Sequence, residues 1–183
     1  MNKKENILNA ALELLVTKGV HNTPMSEVAK KAGTGMGTIY NYFPNKEALI
    51  NEIYIGIKEQ EETLFLKVNT DATIKKQFVD YLKVIINFFI HNPSYFNFLQ
   101  QLEASPIITK ENKVKGQKSV EIVAILLEKG KLNRIIKNIS TQEILVFIGG
   151  GISSYLKQNL NNSEKATTSL KNHIQMIWDG IKE

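Results

Sequence analysis

Cysteine is absent from the 183 residues, which excludes disulfides and thiolate metal sites and leaves a reducing compartment compatible with the chain. Histidine is almost as scarce. His21, His91 and His173 lie far apart, without the paired spacing of a helical zinc site, so no metal centre is expected. No long apolar run free of charge occurs, and Glu5 and Glu13 interrupt the stretch behind Lys3 and Lys4. Neither a membrane span nor an export signal is therefore expected, and the anticipated location is the cytoplasm. The chain also lacks a glycine-rich phosphate loop attached to a strand and the elbow of a nucleophilic serine. A helical enzyme is thus the lesser of the readings, and no cofactor is expected. Strand-like alternation, internal repeats and low-complexity linkers are missing too, which points to an all-α chain.

What is present suits a globular protein with a real core, since 43% of the residues are hydrophobic. The formal net charge is +5, and it is unevenly placed. Residues 1–46 hold six lysines against three glutamates, which is +3 of that total. A basic head suits a polyanionic partner without identifying one.

Helical periodicity runs along the chain. Ile7, Ala10, Ala11, Leu14 and Leu15 mark a first helix stopped by Gly19. Thr23 reads as an N-cap with Pro24 at the first position of a short second helix that reaches about Lys31. After a turn at Gly33, a third short helix spans about Gly37 to Phe43 and is closed by Pro44. Asn45 is placed to cap a long fourth helix running into the high 60s. Beyond it, Ile74, Phe78, Tyr81, Leu82, Ile85 and Phe89 share one face, and Asn92-Pro93 restarts a short helix that ends at Ser105-Pro106. Further helices are expected over Gly116–Lys129, after the capping-box pattern Ser140-x-x-Glu143, and around Leu170 to Ile181.

The segment Glu27 to Phe43 carries the chemistry. Ala29 is small enough for a second helix to cross closely, and four residues later Gly33 can take the left-handed angles of a tight inter-helix turn. Val28, Ala32, Ile39 and Phe43 would hold the two helices together, leaving Met36, Thr38, Tyr40, Asn41 and Tyr42 on the outward side. Such a helix can enter a major groove with its N-terminal residues at base edges. Alanine and glycine four apart also occur in ordinary helical hairpins. The whole block, with its leading helix, its Thr-Pro pair and Gly-Thr-Ile-Tyr-Asn-Tyr-Phe-x-x-Lys-Glu-x-Leu from Gly37 to Leu49, resembles the DNA-binding region of the TetR family of transcriptional regulators.

That resemblance covers about the first 50 residues. It implies an N-terminal three-helix helix-turn-helix domain, residues 1–46, joined by a long helix to a helical effector-binding and dimerisation domain, residues 47–183. It also places Gly37, Thr38, Tyr40, Tyr42 and Lys46 at positions that commonly contact DNA. Physical reasons support the same residues. Tyr42 offers a hydroxyl to a phosphate, and Lys46 sits at the N-terminal turn of a helix, where free N–H groups also favour an anion. Tyr40 fits a thymine methyl contact as well as half-buried packing, and Thr38 reaches either a phosphate or a base edge. Two positions depart from the family pattern. Gly35 and Met36 stand where a hydroxyl residue and a basic residue are common. With no arginine in the recognition region, reading by Asn41, Thr38 and Tyr40 is expected to favour A·T-rich sites.

In the second part, an aromatic stripe is more often core than ligand box. The resemblance implies an effector cavity there, with Phe88, His91, Tyr95, Phe98, Glu103, Phe147, Tyr155 and Trp178 as candidates to line it. It also implies a homodimer built by the last two helices. Gly149, Gly150, Ser153, Ile174 and Trp178 are the candidates for that interface, the glycine run offering a surface on which another helix can approach closely. The expected function is a repressor released from a palindromic operator in double-stranded DNA by a small-molecule effector. The alternative is a helix-turn-helix protein that organises DNA or answers to a protein partner, with no small ligand.

Overall fold

The computed structural model describes residues 2–103, 105–160 and 166–183. Ten helices appear among them: α1 (Lys3–Lys18), α2 (Met25–Lys31), α3 (Met36–Tyr42), α4 (Lys46–Phe65), α5 (Ile74–His91), α6 (Pro93–Leu102), α7 (Lys110–Lys115), α8 (Lys118–Leu132), α9 (Thr141–Asn159) and α10 (Ala166–Ile181). The all-α expectation is met, and the one extended pairing among the described residues is an isolated antiparallel bridge between Ile136 and Lys182.

Backbone contacts group the helices into two compact units. The first contains residues 1–59 and 92–116, so α6 and α7 belong with α1–α3 and most of α4. Its packing runs from α1 to α2 and α6, and from α2 to α3. The second contains residues 60–91 and 117–183, in which α5 lies against α8, α9 and α10.

Local chemistry sets the helix ends. Asn2 caps α1 in a reciprocal capping box with Glu5, and Gly19 closes it at φ +85°. Thr23 does not cap α2 as expected. Pro24 takes the cap position, and the Thr23 hydroxyl points back at the carbonyls of Leu14 (3.2 Å) and Gly19 (2.9 Å). The hydroxyl of this threonine, 1% exposed, gives the Gly19 carbonyl just past the end of α1 a partner where water cannot, and shares the carbonyl of Leu14 with the helix. Asn45 does cap α4, its side-chain oxygen accepting from Ala48 N at 2.8 Å. The helix ends at Phe65, short of the high 60s, because Lys67 and Val68 turn back on Leu64 and Phe65 with three-residue spacing.

Three further features differ from the sequence reading. Ser140 stands at the N-cap of α9 but its side chain makes no capping bond; the neighbouring Thr141 hydroxyl instead engages Glu128 and Lys131. Segment 110–115, which has no apolar periodicity and buries nothing, forms the short helix α7 behind a Thr109 cap. α6 also stops at Leu102, before Ser105-Pro106.

The core of the second unit is aromatic. Phe78 is fully buried against Trp178, with ring centroids 5.3 Å apart, and Phe65 meets Tyr81 edge-on at 5.1 Å. Burial raises the pKa of the Tyr81 hydroxyl. The end of α10 is fastened to the α8–α9 connection: Lys137 N donates to Ile181 O (2.9 Å) and Glu183 N to Ile135 O (3.0 Å). Arg134, at φ +54°, turns the chain there, and Ile136 lands on Gly130 so closely that a β-carbon at 130 would lie 2.4 Å from its Cδ1 and 2.8 Å from its Cγ1. Ile136 is 1% exposed and has nowhere to retreat. Gly130→Ala is therefore expected to destabilise the fold by about 1–3 kcal/mol, despite alanine's better helix propensity. Denaturant unfolding measures this, and a variant as stable as the parent would show that the turn yields.

Candidate nucleic-acid interface

The turn between α2 and α3 is a Schellman motif. Gly33 adopts φ +63°, its N–H reaches Lys30 O, and Thr34 N reaches Ala29 O at 3.0 Å. α3 starts at Gly35 with no side-chain cap, as the missing hydroxyl implied. It is held by burial: Val28 (1% exposed), Ile39 (0%) and Phe43 (3%) lie inside, and Ala32 is half-buried. The other side of α3 faces outward. Gly37, Tyr40 and Asn41 are exposed at i, i+3, i+4 spacing, Tyr42 is exposed beside them, and Met36 and Thr38 are half-buried on the flanks. Tyr40 and Tyr42 are 48% and 42% exposed, so part of each ring is open to solvent, and the Tyr42 ring centre lies 6.3 Å from that of Phe43.

Lys46 opens α4 next to this surface in sequence. It is half-buried, its amine 3.4 Å from His21 O, and desolvation holds its pKa below the ordinary lysine value. A phosphate oxygen beside it would favour the charged form and reverse that shift.

Charge in the head is arranged in a way the residue order did not show. Lys18 pairs with Glu27 and Lys31 with Glu13, joining α1 to α2, while Lys4 pairs with Glu52 of α4 and lies 5.9 Å from the centre of the Phe43 ring. Exposed pairs of this kind add little stability, but they leave only Lys3, Lys30 and Lys46 without a carboxylate partner among the described residues. α3 itself carries no charged side chain.

The cavity candidates are divided between the two units. Phe88, Tyr155 and Trp178 are buried in the second, where Tyr155 stacks on His173 at 5.0 Å and burial raises the pKa of its hydroxyl. His91 is exposed at the end of α5, with Nδ1 2.7 Å from Asn87 O, and Phe147 is 51% exposed. Tyr95 is half-buried, Phe98 fully buried and Glu103 exposed, all in the first unit. An open cleft of about 560 Å³, lined by residues that include Glu128, Leu132, Arg134 and Glu183, contains none of these eight.

Among the interface candidates, Gly149 and Gly150 are exposed, with nothing within 4 Å of a β-carbon at either, and Ser153 is half-buried. Ile174 and Trp178 are 2% and 4% exposed within the chain's own core. The close helix approach falls one residue later, at Gly151. There α10 brings Ile177 Cδ1 to 2.9 Å from the position of a β-carbon, and His173 Nε2 lies 2.8 Å from the Gly151 carbonyl.

Residues 7–53 match the family model described as bacterial regulatory proteins, tetR family. The HTH-type transcriptional regulator YvdT of Bacillus subtilis is 49% identical over 51 residues, 28% of this chain and 26% of that protein. The fatty acid metabolism regulator protein of the same organism is 32% identical over 85 residues, and the match spans 42% of its length. The chain therefore spans less than half of either relative. The regulator YhgD, also from Bacillus subtilis, aligns with all of this chain and 86% of its own at 27% identity. A tetR family transcription regulator from Shewanella sp. PV-4 shares the fold over the full length of both chains, with a TM-score of 0.89 at 19% identity.

With three unpaired lysines per head, the logarithm of DNA affinity is expected to fall against the logarithm of salt concentration with a slope of at most about 3 per head, and Lys46→Ala should lower it by about one. Titrations of specific and random duplexes at several salt concentrations measure both. An unchanged slope in the variant would remove Lys46 from the phosphate contacts.

Proposed function

We propose that the chain is a member of the TetR family of bacterial regulatory proteins, which its match over residues 7–53 supports, and that it is a cytoplasmic, homodimeric repressor released from a palindromic operator by a small-molecule effector. It is a DNA-binding transcriptional regulator with an N-terminal helix-turn-helix. The observation that carries the reading is the outward face of α3, where Gly37, Tyr40, Asn41 and Tyr42 stand exposed on a helix fixed by Ile39 and Phe43. Tyr42, Thr38 and Lys46 hold phosphates, while Tyr40 and Asn41, with Met36 beside them, meet base edges. Asparagine reads adenine and tyrosine packs on a thymine methyl, which is the basis for an A·T-rich preference. The domain division at residue 46 assigns this reading to the head and leaves effector binding and dimerisation to residues 47–183.

Support for a second copy comes from α9 and α10. Val146 (66% exposed), Phe147 (51%) and Met176 (63%) are large apolar residues in water, and the open glycines Gly149 and Gly150 lie on the same helix as the first two. Exposed side chains and open glycines of this kind suit an isologous contact with a second copy, although the Phe147 ring also lies against Gly180 of α10. Ile174 and Trp178, buried in the chain's own core, then contribute by packing and not by direct contact. The effector is assigned to the aromatic interior of the second unit around Phe88, Tyr155 and Trp178, with His91 and Phe147 as its outer candidates, while Tyr95, Phe98 and Glu103 belong to the first unit and are left out of that assignment. A ligand that alters the spacing of two heads costs specific binding more than it costs general phosphate attraction.

Because the space around Gly150 is open in the single chain, Gly150→Leu is expected to fold as stably as the parent while failing to dimerise, with loss of operator affinity. Sedimentation velocity decides it, and an intact dimer would move the interface elsewhere. Respacing the two half-sites by about five base pairs puts one head on the wrong face of the duplex, so affinity should fall to that of a single half-site. Footprinting tests this; equal affinity for the respaced operator would refute the two-headed reading.

A further inference from the structure

One fully hydrogen-bonded side chain in the first unit has no DNA contact assigned to it. Asn51, on the second turn of α4, is 6% exposed. Its Nδ2 donates to Glu47 O at 2.8 Å, one residue after Lys46, and to Ile107 O at 2.9 Å. Its Oδ1 accepts from Thr109 N at 3.0 Å and from Asn112 Nδ2 at 2.9 Å. Both donors and both acceptor sites of the amide are thus in use. Thr109 in turn caps α7, accepting from Asn112 N at 3.2 Å. A carboxylate would set negative charge against two carbonyls, and an apolar residue would strand buried backbone groups on both sides.

This arrangement ties the first turn of α4 to a segment more than fifty residues away in sequence. Nearby, α6 lies along α1, and Gln101 Nε2 donates to Val16 O at 3.3 Å. Segment 92–116 is therefore part of the body that carries α3 and Lys46.

We propose that Asn51 is a positioning residue for DNA binding: by joining the Lys46 turn of α4 to residues 107–112, it makes the placement of the Lys46 charge depend on the state of that segment. The inference rests on the DNA-binding reading given above. It makes Asn51 and Lys46 act as one unit toward DNA while leaving them independent in folding. A purely structural asparagine would lower stability without any such coupling.

The test uses the full chain and a duplex that the wild type selects from a random-sequence pool. Affinity is measured against salt for wild type, Lys46→Ala, Asn51→Ala and the double variant, at a temperature where each is folded by circular dichroism. Lys46→Ala is expected to weaken binding about tenfold in the wild-type background and less than twofold in the Asn51→Ala background, and Asn51→Ala alone should lower the salt slope by about one per head. Asn112→Ala, which removes a single partner and leaves α4 untouched, is expected to show the same coupling in weaker form and carries the test if Asn51→Ala does not fold. Lys46→Ala weakening binding by the same factor in every background would overturn the positioning role alone. A wild-type chain that enriches no duplex would overturn the DNA-binding reading and this inference with it.

Discussion

A helix of seven residues cannot persist in water on its own, because too few hydrogen bonds follow the unfavourable nucleation of its first turn. α3 also lacks a capping side chain, and no charge complements either of its ends. Its existence therefore depends on burial of Ile39 and Phe43 against Val28 and the neighbouring helices, at an angle set by the Gly33 turn. That one dependence orders the rest of the head. Side chains pointing inward hold the helix, and Tyr40, Asn41 and Tyr42 are exposed on its other side.

The remainder of the first unit keeps this short helix in place. α1 is well capped and lends a carbonyl to Thr23, its lysines to Glu27 and Glu52, and its surface to α6. Weak surface pairs are suited to this, since they fix register between helices while leaving stability to the apolar contacts. They also engage half of the head's six lysines, and α3 itself carries no charge, so its outward face is neutral, aromatic and amide-bearing.

The second unit follows a different logic. Its interior is filled by large aromatic and aliphatic side chains, and close contacts fall at glycines, Gly130 under Ile136, Gly180 under Phe147 and Gly151 under Ile177. The remaining glycines of α9 face open space beside exposed Val146 and Phe147. A single helix thus presents one close-packed glycine inward and two open ones outward, which divides a contiguous run of identical residues between two roles.

Most helices were legible from periodicity, and so was the helix-turn-helix, because its signals are local: Ala29 and Gly33 at their spacing, Asn45 at a cap, Ile39 facing in. The resemblance of residues 7–53 to one family rests on the same short-range pattern. What residue order did not reveal involves partners distant in the chain or competing for the same group. Thr23 turned to carbonyls of α1 instead of its own helix, α7 formed without an apolar face, and Asn51 found Ile107, Thr109 and Asn112 across more than fifty residues. The three consecutive glycines of α9 are indistinguishable as sequence, and only the approach of α10 selects Gly151. Propensity and periodicity act within a turn or two of the backbone, so the sequence by itself determined most of the helices and which face of α3 turns outward. Which buried polar group meets which, and which small residue receives a neighbouring helix, was decided by the tertiary packing, because satisfaction and steric fit exist only once distant segments share the same space.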